Sequence, residues 1–114
     1  MNARRAAAFL YGVYRRSDLP FYRGLCRGAL TIAVDGGYAF FRKAGLAPDI
    51  LIGDFDSIGR MPRLPESTLV LRFPPQKDKT DAHLAIDYCL KRGLRKIDLV
   101  MPGLLSRWKR IPPP

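Results

Sequence analysis

The sequence predicts an α/β fold: an open, mostly parallel sheet flanked by helices in three layers, as in Rossmann-like domains. Short apolar runs rich in alanine, valine, isoleucine and leucine alternate along the chain with segments of helical character. Such runs are typical of buried parallel strands, and their alternation with helices indicates right-handed crossovers. A length of 114 residues is enough for one hydrophobic core, and hence for one domain.

The first half of the chain contains three predicted strands and two predicted helices. The first helix begins after Ser17 or Asp18, has Pro20 in its first turn and stops at Gly28. The second ends at Gly45, a residue type that commonly terminates helices. The predicted strands are 6–13, 29–34 and 49–52, and the second predicted helix is 38–44.

The second half continues the alternation of strands and helices. A proline-containing loop at 59–67 precedes a strand at 68–73. Thr80 is a suitable N-cap for the next helix, whose apolar residues recur at helical spacing as far as Gly93. A last strand is predicted at 96–101, before the turn-forming pair Pro102-Gly103.

Composition and charge argue against several classes of protein. The chain carries 20 lysines and arginines against 10 aspartates and glutamates, a formal net charge of +10. The basic residues are scattered and no known nucleic-acid-binding motif accompanies them, so we expect no specific nucleic-acid partner. No apolar run reaches eighteen residues, so we expect no membrane span. Two cysteines without metal-binding spacing, Cys26 and Cys89, favour a reducing cytoplasm.

Aspartates that follow the predicted strands are the clearest functional signal. Asp54 and Asp56 come after the third strand, and Asp81 opens a helix after the fourth. Open α/β sheets bind ligands at the carboxyl ends of their strands, so these side chains should share one edge. Asp54 and Asp56 would point the same way from an extended segment. Crowded carboxylates repel one another unless a cation lies between them, and oxygen ligands suit Mg²⁺ held against substrate phosphates.

A second signal lies after the strand at 29–34. There, Asp35 is followed by Gly36-Gly37 at the start of a predicted helix. Glycines in this position let backbone N–H groups approach a phosphate closely. The spacing matches neither the dinucleotide-binding nor the Walker pattern, and paired glycines are also common in plain turns.

Neighbouring polar residues have simpler interpretations. Asp49 and Asp78 are candidates for turn formation or helix capping. Lys77 and Lys79 are candidates for solvated loop charges, and we assign no role to His83, the single histidine.

Three segments together resemble the catalytic domain of the thiamine pyrophosphokinase family. They read AVDGG at 33–37, PDILIGDFDSI at 48–58 and FPPQKDKTD at 73–81, and the resemblance runs from about residue 6 to residue 103. This family moves the pyrophosphoryl group of ATP to the hydroxyl of thiamine, giving thiamine diphosphate and AMP. The resemblance therefore implies a Mg²⁺-dependent thiamine diphosphokinase that needs no strong general base.

The resemblance also implies a role for individual residues. Asp54, Asp56 and Asp81 would be the catalytic residues and would hold Mg²⁺ against the ATP phosphates. The residues expected to line the nucleotide pocket or to lie close to it are Asp35, Gly36, Gly37, Gln76, Lys77 and Asp78.

The end of the chain departs from the family pattern. Family members continue with a Gly-Gly-rich stretch ending in Arg-x-Asp-His, and then with a β-sandwich domain that helps form the thiamine pocket across a homodimer interface. Here we expect a catalytic domain at 1–103, an atypical tail at 104–114 from truncation or a frameshift, and no sandwich domain. Impaired activity is then expected, and the alternative is a non-catalytic nucleotide-binding remnant of the family.

Overall fold

The computed structural model describes residues 5–56, 58, 60–74 and 80–109. These residues form six strands and three α-helices. The strands are β1 (Arg5–Phe9), β2 (Leu30–Val34), β3 (Ile50–Gly53), β4 (Leu69–Arg72), β5 (Lys96–Met101) and β6 (Leu104–Lys109). The helices are α1 (Leu19–Cys26), α2 (Tyr38–Ala44) and α3 (Asp81–Lys91), and 3₁₀ turns at Arg16–Asp18 and Asp35–Gly37 precede α1 and α2.

All six strands belong to one sheet, with the order β4-β3-β2-β1-β5-β6. Strands β1 to β5 pair in parallel, and β6 pairs antiparallel with β5. Helices cover both faces of the sheet, so the predicted three-layer α/β fold is confirmed. Within the described residues, no helix is long and apolar enough to cross a membrane.

The two faces of the sheet bury two separate sets of side chains, because neighbouring residues of a strand point to opposite faces. Ala7 and Phe9 of β1 pack with α1 and α2, and the ring of Phe9 stacks on Phe40 with centroids 4.1 Å apart. Ala6 and Ala8 pack on the other face with α3. Among the helices of the described residues, α3 is the one on this second face, where it contacts β2, β3 and β5.

The first strand is shorter than predicted, because it ends at Phe9 rather than at residue 13. The following residues fold back over the sheet, and the buried Tyr14 hydroxyl donates to the Leu10 carbonyl oxygen at 2.6 Å. Gly12 lies against the ring of Pro102, leaving no room for a Cβ. Leu10 and Tyr14 are buried, whereas Tyr11 and Val13 are exposed, so the segment after β1 is a loop with only part of its apolar side chains packed. Periodicity alone cannot distinguish such a segment from a strand.

Strand β6 was not predicted from the sequence. Gly103 has a φ of 76°, a left-handed conformation that turns the chain back along β5. The register then runs from Met101 opposite Leu104 to Lys96 opposite Lys109. Part of the segment interpreted as an atypical tail is thus an edge strand of the sheet.

Asp49 connects two strands at the amino-terminal edge of the sheet. Its Oδ2 accepts hydrogen bonds from the backbone N–H and hydroxyl of Thr31, at 2.9 and 3.1 Å. Its own N–H donates to the Thr31 hydroxyl at 2.9 Å. These bonds join the start of β2 to the start of β3, so Asp49 has a structural role at this edge.

Candidate functional site

Three aspartates meet at the carboxyl edge of the sheet. Asp35 directly follows β2, Asp54 directly follows β3, and Asp81 is the first residue of α3. The connection from β4 to β5 brings α3 across β3 and β2, with its N-terminus at this edge. Each of the other two carboxylates acts electrostatically on Asp35, and the side chains of Asp35 and Asp81 are hydrogen-bonded to each other.

Asp35 is the most constrained member of the cluster. It is only 6% exposed, and its φ of 49° is uncommon for a residue with a side chain. Its Oδ1 accepts the backbone N–H of Phe55 at 2.6 Å. Gly53, with a φ of 142°, lies so close that a Cβ there would collide with the Asp35 carboxyl group. The Asp35 side chain is therefore fixed by the backbone that follows β3.

Burial and charge repulsion raise the pKa values of Asp35 and Asp81. Desolvation is the main reason that the pKa of Asp35 rises to about 6, and the charges of Asp81 and Asp54 and the bond to Asp81 raise it further. The Phe55 N–H acts in the opposite direction. Burial also raises the pKa of Asp81, while the bond from Asp35 lowers it. Below about pH 6, Asp35 therefore holds a proton that can bridge it to the Asp81 carboxyl group.

This protonation predicts that the unliganded chain loses stability as pH rises. Asp35 keeps its proton up to about pH 6 in the folded chain, against an ordinary pKa of 3.8. Its contribution is therefore fully present below pH 3.8 and is lost as pH rises through 6. Asp35→Asn imitates the protonated group and should raise the free energy of unfolding at pH 8 by about 2 kcal/mol relative to wild type.

Urea unfolding of both proteins from pH 4 to pH 8 measures this difference. The two should be almost equally stable at pH 4 and should diverge between pH 4 and 7. Stability profiles that stay parallel over the whole range would contradict the assignment of the proton to Asp35.

The segment that carries Asp54 and Asp56 is not extended, contrary to the sequence prediction. Phe55, which lies between them, has a φ of 70°, so the alternation of an extended chain does not apply. The Asp56 N–H donates to Asp54 Oδ1 at 3.0 Å, and Asp56 itself is exposed. Asp54 thus contributes to the cluster from a tight turn. Asp56 lies on the exposed outer side of that turn.

Gly36 and Gly37 form a 3₁₀ turn with Asp35, directly before α2. Gly37 is buried against the end of β1, where a Cβ would collide with the carbonyl group of Phe9. This contact explains the absence of a side chain at 37 by packing alone. The role of both glycines in holding a phosphate stays a prediction.

The start of α3 is fixed by a pair of reciprocal hydrogen bonds. The Thr80 hydroxyl accepts the backbone N–H of His83 at 3.3 Å, and His83 Nδ1 accepts the backbone N–H of Thr80 at the same distance. Thr80 is the N-cap, as predicted. His83, to which no role was assigned from the sequence, helps to hold Asp81 in place. In this capping motif the third residue of the helix is usually a glutamate or glutamine. A histidine at that position gives no clear signal in the sequence that it caps the helix.

The cluster suits a divalent cation bound together with a ligand. Among the residues that the structure describes, no three His, Cys, Asp or Glu side chains are arranged as a complete metal-binding group. Mg²⁺ does not need such a cage, because it is commonly held by one or two carboxylates and substrate phosphates. Asp54 and Asp81 are carboxylates of this kind, and a cation would offset the repulsion between them. Gln76, Lys77 and Asp78, expected beside this site, lie outside the described residues.

Comparisons with known proteins agree on one family. The sequence model of the family described as "Thiamin pyrophosphokinase, catalytic domain" matches residues 23–108. No curated protein matches the chain. A crystal structure of thiamin pyrophosphokinase from Geobacillus thermodenitrificans is similar, with 30% identity and a TM-score of 0.52 over 82% of this chain. A probable thiamine pyrophosphokinase from Staphylococcus saprophyticus has 26% identity and a TM-score of 0.51 over 83%.

A protein from Lactobacillus plantarum shares the fold, with 22% identity and a TM-score of 0.55 over 85% of this chain. The chain spans only part of each of these three structures. It covers 45%, 47% and 43% of their respective lengths.

Proposed function

The chain belongs to the thiamin pyrophosphokinase family through its catalytic domain, and we propose that it is a Mg²⁺-dependent thiamine diphosphokinase. The proposed reaction moves the β- and γ-phosphoryl groups of ATP together to the hydroxyl of thiamine. The Pβ–O bond to AMP breaks, a new P–O bond to thiamine forms, and the hydroxyl proton is released. One observation carries the proposal: Asp35, Asp54 and Asp81 converge at the carboxyl edge of the sheet.

The residues of this edge would act mainly by positioning and electrostatics. Asp54 and Asp81, with Asp56 at the rim, would hold Mg²⁺, which supplies charge neutralisation and polarises the phosphoryl oxygens. Asp35 would hold the turn after β3 in place by accepting the Phe55 N–H. With Gly36, Gly37, Gln76, Lys77 and Asp78, it would also line the nucleotide pocket. Phosphoryl transfer to an alcohol depends largely on in-line placement, so no side chain need act as a strong base.

An AMP-release assay with and without thiamine tests this proposal. A functional diphosphokinase should form AMP and thiamine diphosphate in equal amounts, only when ATP, Mg²⁺ and thiamine are all present. ATP binding without AMP release in any mixture would instead indicate a non-catalytic nucleotide-binding protein. Absence of ATP binding in calorimetry would overturn both possibilities.

We further propose that the chain acts in the cytoplasm and that it forms a homodimer, as the family resemblance implies. Both cysteines are free thiols, and Cys89 is buried. Burial raises the pKa of the Cys89 thiol to about 12, so this group stays protonated and unreactive. Such thiols are compatible with a reducing compartment that also supplies ATP. Sedimentation equilibrium with and without Mg·ATP would test the homodimer.

A further inference from the structure

Arg72 occupies the carboxyl end of β4, beside the aspartate cluster. It pairs in register with Gly53, the last residue of β3. Its guanidinium carbon lies 5.0 Å from the centre of the Phe55 ring. Phe55 in turn follows Asp54 in the chain and donates its N–H to Asp35. Phe55 therefore contacts Arg72 through its ring and the Asp35 carboxylate through its backbone N–H.

Arg72 is not neutralised by a carboxylate of the described part of the chain. The ion pairs found there join Arg5 to Asp98 and Arg15 to Asp18, and Arg72 itself is exposed. A guanidinium that lies over an aromatic face keeps its N–H groups available around its rim. Contact with the ring also limits the positions that a long side chain can take, so less entropy is lost on binding an anion.

We propose that Arg72 binds the transferred phosphoryl groups of the nucleotide through a bidentate contact to their oxygens. This inference rests on the proposed function, because it places the polyphosphate at the edge formed by β2, β3 and β4. A triphosphate that approaches three carboxylates needs positive charge, and a metal ion neutralises only part of the total. Arg72 adds charge on the β4 side and acts as a specificity-determining residue for nucleotides with more than one phosphate.

The competing role of Arg72 is simple packing, in which its side chain covers the ring of Phe55. Two substitutions separate the roles. Arg72→Met keeps a long side chain over the ring but removes the charge, whereas Arg72→Lys keeps the charge but loses the planar fork. Arg95→Met is a matched control, because Arg95 is also exposed but directly precedes β5, at the amino-terminal ends of the parallel strands and thus away from the proposed site.

Calorimetric titration of the whole chain with Mg·ATP and with AMP tests the proposal. Arg72→Met should weaken Mg·ATP binding about tenfold, the size expected for a charge-assisted hydrogen bond, and should weaken AMP binding less than about threefold. Arg72→Lys should lie between Arg72→Met and wild type, and Arg95→Met should bind both ligands as wild type does. Thermal unfolding of each variant reports the packing contribution separately.

Two results would overturn the role of Arg72. One is Mg·ATP binding by Arg72→Met within about twofold of wild type, even if the variant is less stable. The other is an equal loss of affinity for Mg·ATP and AMP, which would indicate a general disturbance of the site. Wild-type chain that binds no Mg·ATP would overturn the proposed function together with this inference, so the two failures are distinguishable.

Discussion

Asp54→Asn is expected to weaken Mg²⁺-dependent ATP binding at least about tenfold and to lower AMP formation on the order of 100-fold. Asp54 contributes negative charge to the cluster with Asp35 and Asp81, and a neutral amide is a much poorer ligand for Mg²⁺. ATP binding with and without Mg²⁺, measured by calorimetry, separates the metal-dependent part from the rest. The expected loss is confined to the titration that contains Mg²⁺.

The same substitution should leave the fold intact. Asp54 raises the pKa of Asp35 by charge repulsion, so removing its charge should lower the pKa of Asp35 and leave the thermal unfolding temperature unchanged or higher. Asp18→Asn is a suitable control, because it removes an acidic charge paired with Arg15 before α1. Unchanged Mg²⁺-dependent ATP binding in a folded Asp54→Asn protein would refute the metal assignment.

The sequence predicted the elements that deliver the site better than it predicted the geometry of the site itself. The bounds of α2 and β5 agree with the predicted 38–44 and 96–101. The ends of such elements are indicated by residues next to them in the sequence. Gly45, for example, has a φ of 71° and ends α2. The convergence of Asp35, Asp54 and Asp81 also followed from a general property of parallel sheets.

What the sequence could not predict depends on contacts between distant segments. Nothing in the sequence near Phe55 indicates its left-handed backbone, which accompanies a hydrogen bond to Asp35, twenty residues earlier. Strand β6 was missed for a different reason: its pairing with β5 is local, through the turn at Pro102-Gly103, and that turn was interpreted as the end of the domain. The position of Arg72 over Phe55 likewise requires the register of β3 with β4.

Gly37→Ala is expected to be the most destabilising single-methyl change in the site, costing about 3 kcal/mol or more in the free energy of unfolding. The new Cβ would collide with the carbonyl group of Phe9, the last residue of β1. This obstacle is backbone in the middle of the sheet, and it cannot rotate away as a flexible side chain can. Urea unfolding of the variant measures the cost directly.

Gly24→Ala is the matched control, because Gly24 lies inside α1 and a Cβ there would meet no atom within 4 Å. Alanine is a better helix former than glycine, so this change should stabilise the chain by about 0.5–1 kcal/mol. If Gly37→Ala lowers the free energy of unfolding while Gly24→Ala raises it, Gly37 is required for close packing against β1. This conclusion holds whether or not Gly37 also binds a phosphate. A Gly37→Ala protein as stable as wild type, but unable to bind Mg·ATP, would reverse that interpretation and assign the glycine to the nucleotide.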